Sequence, residues 1–125
     1  MANHINDTYM TVTEENGILS LVWKKETIGL TDEDFKYEAL KFIEIVKKHK
    51  NKYILVDMRN FNFQLSNDVI EWRNKNIITA YNKVGVNKFA FVSEIPAVKQ
   101  DNPENTFQTK TFSSVELAID WLTAE

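Results

Sequence analysis

Tyr53-Ile54-Leu55-Val56-Asp57 is the stretch that decides the fold. Four apolar or aromatic residues follow one another without alternation, as in a strand covered on both faces at the centre of a parallel sheet. Asp57 closes the run. Upstream, Thr31 is placed to N-cap a helix whose first turn carries Asp32, Glu33 and Asp34, where carboxylates complement the positive dipole end. Phe35, Ala39, Phe42, Ile43 and Val46 fall on one arc of that helix, and Lys47-Lys48-His49-Lys50 reads as its solvated carboxyl end. Downstream, a Phe- and Asn-rich turn (58–65) leads to Ser66, which caps a second helix reaching about Val84, with Gly85 as the left-handed C′ residue. Lys88 to Ser93 is the next strand.

Farther out, Tyr9–Thr13 and Ile18–Lys24 are two β-like runs joined by Asn16-Gly17, a pair suited to the positive φ angles of a type I′ hairpin turn. Residues 94–106, with Pro96 and Pro103, read as a loop long enough for a functional role or a hidden helical turn. Phe107–Phe112 alternates as a fifth strand, and Ser113-Ser114-Val115-Glu116 reads as a capping box opening a last helix. Residues 1–7 are polar and are expected as a flexible tail, with the folded domain spanning 8–125. The expected architecture is α/β: a single-domain mixed five-stranded sheet with helices packed on it, in the order ββαβαββα, its strand–helix–strand units crossing right-handed.

A length of 125 residues suits one domain. The net charge of −3 and a pI near 5.4 argue against a nucleic-acid partner. With no cysteine there is no thiol nucleophile, disulfide or thiolate metal site. The opening residues lack a secretory pattern and no apolar run approaches the length of a membrane span, so a cytoplasmic location is expected. His4 and His49, the two histidines, fall in the tail and at a helix end, where neither is expected to be held for catalysis or metal binding. Gly17, Gly29 and Gly85 lie too far apart for a phosphate-cradling loop. The expectation is a non-enzymatic binding module with no catalytic residues, no metal and no cofactor.

Ile54-Leu55-Val56-Asp57 through Glu71-Trp72, the step Gly85-Val86-Asn87-Lys88 with Phe89-Ala90-Phe91-Val92, and Phe112 with Ala118-Ile119-Asp120-Trp121-Leu122 together resemble the SpoIIAA-like proteins. These are small bacterial proteins grouped with the STAS and Sec14 folds. The resemblance spans nearly the whole chain and implies two functions. Anti-anti-sigma members bind a partner protein under control of a phosphorylated serine at the start of the helix after the central strand. That position corresponds to Ser66, with Asp57 as the strand-closing acid. Those proteins carry an Asp-Ser-Ser-Gly-like run, where this chain reads Gln64-Leu65-Ser66-Asn67. Sec14-like relatives instead hold an apolar or lipid ligand between sheet and helices. A regulatory protein-binding module is the leading expectation, and a carrier of an apolar or anionic small ligand is the alternative.

Four further features bear on the choice. Arg73 falls on the inward arc of the second helix with Val69, Ile70, Ile77, Ala80, Tyr81 and Val84. It is expected to meet an acceptor among Asp57, Glu71 and Glu94, or else to hold an anion beside the strand ends. On the first reading, its removal costs more stability than loss of a surface charge. Phe61 and Phe63 are placed either to roof an apolar pocket or to plug the sheet edge. In the last helix Val115, Ala118, Ile119 and Leu122 form the expected core stripe. Leu117 and Trp121 point elsewhere, and with Trp72 they are candidates for two-sided burial or a homodimer interface.

Overall fold

A computed structural model describes residues 2–93 and 107–124. Its sheet has six strands rather than five: β1 (Ala2–Asn6), β2 (Met10–Glu15), β3 (Ile18–Trp23), β4 (Tyr53–Asp57), β5 (Lys88–Val92) and β6 (Gln108–Phe112), hydrogen-bonded in sequence order. The first two pairings are antiparallel and the last three parallel. The added strand is the segment expected as a polar tail. Polar composition hid it, because an edge strand needs only one apolar contact, here Ile5 against the core. Asp7 fixes its turn: one carboxylate oxygen accepts from the backbone N–H groups of Tyr9 and Met10.

The β2–β3 hairpin turns at Asn16 (φ 54°) and Gly17 (φ 80°), as that dipeptide predicts. Trp23 leads through a 3₁₀ turn (Lys25–Gly29) into α1 (Asp32–His49). Thr31 and Asp34 form a reciprocal capping box at its start, and Lys50 in the left-handed region ends it. All five residues of the expected apolar arc are buried.

The second helix is interrupted. α2 (Asn67–Arg73) passes into a five-residue π turn, Asn74–Ile78, and then α3 (Thr79–Val84), with Ser66 as N-cap and Gly85 (φ 91°) as the left-handed stop. The wider turn buries both Ile77 and Ile78, which a regular helix places about 100° apart. α4 (Val115–Thr123) is capped by Ser114, not Ser113: its hydroxyl accepts from the Leu117 N–H at 3.2 Å.

Strand alternation separates two cores. Leu19, Leu21, Ile54, Val56, Phe89 and Phe91 face α1, α2 and α3, whereas Ile18, Leu55, Ala90 and Val92 face α4. The sheet grows in one direction from β3 through β5. Right-handed crossovers therefore lay α1 and α2–α3 on the same face. Among the described residues only α4 packs against the other. Its inner stripe is Val115, Ala118, Trp121 and Leu122. Ile119, expected inside, is 39% exposed, because a single short helix meets its half-sheet along one edge. None of the described helices is long and apolar enough to cross a membrane.

One corner of the fold is pH-sensitive. Glu38 is 4% exposed and its Oε2 has no donor facing it, while Lys41 reaches both Asp7 and Glu38. Burial and the neighbouring Asp7 carboxylate push the Glu38 carboxyl up from 4.5 to about 7. Burial also raises Asp7, but hydrogen bonds from Lys41, Glu38 and two backbone N–H groups outweigh it and bring that acid to about 2. A proton on Glu38, donated to Asp7, satisfies both groups. Because the folded-state value of Glu38 lies above its ordinary one, ionisation favours the unfolded chain. Stability is then lost as pH rises from about 4.5 to about 7. Glu38→Gln keeps the donor without the proton. It should match the wild type in urea denaturation at pH 4.5 and exceed it at pH 8 by about 1 kcal/mol, since partial solvent access screens the corner.

Candidate functional site

Two chain segments follow carboxyl ends of β3 and β4 and meet over the sheet. The buried Thr27 hydroxyl, in the 3₁₀ turn, donates to the Lys24 carbonyl at 2.8 Å and accepts from the Asn62 N–H at 2.8 Å. This clasp seats the turn after β4, so that Phe61 and Phe63 lean on Trp23 and Phe35. The Trp23–Phe61 ring centroids lie 5.0 Å apart and those of Phe35 and Phe63 5.8 Å. Offset and edge-on aromatic contacts at such distances are favourable. Thr27 carries no sequence signal of this role, because it acts across the fold on a residue 35 positions away.

Beneath this aromatic roof lies a cavity of about 410 Å³, between the sheet and the α1/α2–α3 layer. That volume falls within the range of small-molecule sites. Leu21, Val56, Phe89 and Phe91 form its floor, Phe61 and Phe63 its roof, and Met58 and Ser93 extend the wall just past the ends of β4 and β5. The two phenylalanines line this cavity and pack against the core.

Among the described residues, Arg73 is the one charged residue lining the cavity. It projects from the last residue of α2, immediately before the π turn, and its guanidinium lies 6.0 Å from the Phe91 ring centroid. Surrounding protein depresses its pKa from the ordinary value, and Tyr81, which interacts with it electrostatically, is pushed up by its own burial. Arginine keeps its charge even so. Among the described residues no carboxylate pairs with it. Asp57, the first expected acceptor, belongs to the opposite strand face and is engaged by Arg59 in a two-pronged contact at 2.6 and 3.0 Å. Glu71 is exposed and makes no ion pair, and Glu94 lies outside the described residues. The inward placement of Arg73 is as the helical wheel indicates, and neither Asp57 nor Glu71 forms the expected salt bridge with it.

Asp57 and Ser66 do not line the cavity. The Ser66 hydroxyl caps α2 through the Val69 N–H and reaches Asp32 Oδ2 at 3.3 Å, beside the start of α1. A carboxylate thus already sits where two helix N-termini converge.

The three interface candidates separate. Trp72 packs on the α1 side beneath Lys36, whereas Trp121 packs against Phe112 (5.7 Å) on the α4 side, flanked by Lys88 and Lys110. Trp72 therefore cannot join the other two in one patch. Leu117 is 52% exposed beside Trp121, so α4 is not buried on both sides. His4 and His49, expected in a tail and at a helix end with neither held in place, meet at Glu14 on the β1–β2 rim. Sequence spacing gives no hint of that meeting, because it depends on β1 being a strand. Comparison with protein-family models, curated proteins and solved structures returns no match for the chain.

Proposed function

We propose that this chain is a non-enzymatic binding module for a small amphiphile, with an apolar body under the Phe61–Phe63 roof and an anionic head on Arg73. The observation carrying the reading is one side chain: a part-buried guanidinium lining an apolar cavity with no carboxylate beside it among the described residues. A buried charge without a counter-ion costs several kcal/mol, a cost that a bound carboxylate or phosphate offsets. General acid–base chemistry would need a base, and among the described residues the cavity lining includes no histidine, aspartate or glutamate.

The SpoIIAA-like resemblance remains part of the proposal, supported by the parallel β3–β6 ladder and the position of Ser66 at the head of α2. Within that family this reading favours the Sec14-like role. Phosphorylation of Ser66 would bring a dianion against Asp32, and the serine switch has that repulsion to overcome.

Decanoate and decanol, titrated into the protein by calorimetry, separate charge from apolar bulk. One equivalent of decanoate is expected to bind, with decanol at least about tenfold weaker. Equal affinity would remove the role of Arg73, and absence of binding by either would remove the proposal. Native mass spectrometry of protein purified from its host should show one bound small molecule that denaturation releases.

A further inference from the structure

We propose that His4, Glu14 and His49 form a site for one zinc-class divalent transition-metal ion on the rim opposite the strand ends that bound the cavity. The three side chains come from β1, β2 and the last turn of α1. Their donor atoms all lie within 4.8 Å of one another. His4 Nε2 is 3.2 Å from Glu14 Oε1, and His49 Nδ1 is 3.8 Å from the same oxygen. A tetrahedral ion with bonds of about 2.0–2.1 Å separates its donors by about 3.3 Å, so two of the three edges are close to what an ion requires.

Two structural features hold this arrangement, and neither serves the cavity. The β1–β2 register shifts between Asn3 and Ile5, leaving His4 as the bulged residue. Bulges re-aim a side chain, and here the ring comes to 4.6 Å from that of His49. Asn51 donates its side-chain N–H to Glu14 Oε2 at 2.7 Å and to the Gly17 carbonyl at 3.3 Å. That grip leaves Oε1 as the oxygen facing both imidazoles. An outer hydrogen bond of this kind is how proteins orient metal-binding carboxylates.

The donor set selects the metal. Two imidazoles and one carboxylate suit zinc, cobalt, nickel or copper, whereas magnesium and calcium prefer oxygen ligands throughout. All three side chains are part-exposed, at 17%, 26% and 32%, so water can complete the shell. Lys47, Lys48 and Lys50 flank His49, and their side chains are exposed and free to turn to solvent. Their charge lowers the affinity, and micromolar rather than nanomolar binding is expected.

Zinc titration by calorimetry at pH 7.5, with magnesium as control, tests the site. One zinc per chain and no magnesium uptake are expected, and cobalt should give the visible bands of a four-coordinate ion. His49→Ala, at an exposed helix end, should leave the circular dichroism spectrum unchanged and weaken zinc binding more than about tenfold. His4→Ala should do the same if β1 stays paired, but His49→Ala decides the matter if it does not. Zinc should raise the melting temperature of the wild type and not of His49→Ala. Absence of one-to-one uptake at 100-micromolar zinc (roughly the upper limit of a meaningful site), or uptake that survives His49→Ala, would overturn the assignment and leave an ordinary ion-pair cluster.

Discussion

Arg73→Met is expected to melt a few degrees above the wild type while losing most of its affinity for anionic amphiphiles. The two effects share one cause. In the free protein the guanidinium sits among Phe91, Ile77 and Tyr81 with no carboxylate among the described residues to neutralise it. Replacing a buried charge with an apolar side chain of similar length commonly stabilises by about 1–3 kcal/mol. In a domain of this size that raises the melting temperature by roughly 3 to 10 °C. The same substitution removes the one charged group among the described residues that an acidic head can meet in the cavity, and charge-assisted hydrogen bonds are worth about 1.5–3 kcal/mol. Decanoate affinity should fall about 10- to 100-fold, with decanol unchanged. Of the two readings the sequence allows for Arg73, this outcome favours the anion site over the structural salt bridge, whose loss would cost stability. A lower melting temperature for Arg73→Met would favour the salt bridge and point to an acceptor in residues 94–106.

Phe89→Ala should cost about 4 kcal/mol, a large share of the roughly 5–15 kcal/mol that holds a domain of this kind together. Phe89 is fully enclosed near the start of β5, with ring centroids of Tyr81, Phe91 and Phe107 at 5.2, 4.8 and 6.0 Å. Truncation removes those contacts and enlarges an existing cavity, which the surrounding rings cannot collapse to fill. Leu117→Ala, half-exposed on α4, should stay within about 0.5 kcal/mol. Urea denaturation of the two variants measures both, and a loss below about 2 kcal/mol for Phe89→Ala would mean that the aromatic cluster is looser than drawn.

The parallel core of the fold is legible in the chain because its signals are local. An unbroken apolar run at 53–56, an Asn-Gly turn and capping residues at Thr31 and Ser66 each act within a few positions. What was not legible depends on contacts distant in sequence. Ala2–Asn6 has no strand pattern of its own and becomes one by pairing with β2. The π turn could not be anticipated from a wheel that assumes a regular helix, so Ile78 was missed while Ile77 was found. The candidate site divides along the same line. Arg73, Phe61 and Phe63 were found from spacing and position, and they line one cavity. Asp57 closes β4 as expected, but alternation after Val56 turns it to the face away from the cavity. Residues 94–106, read as a loop of functional length, lie outside the described residues.

The change from antiparallel to parallel pairing at β3 has a consequence for the order of assembly. β2 and β3 can zip from their tight turn, since Glu15 pairs with Ile18 next to it in the chain. The parallel pairings, Ile18 with Tyr53 and Tyr53 with Lys88, must wait for a whole intervening helix to find its seat. The entropic cost of closing those long loops comes before any contact rewards it. The hairpin is thus the natural nucleus, and the ligand cavity, walled by the later strands, is among the last parts of the molecule to take shape.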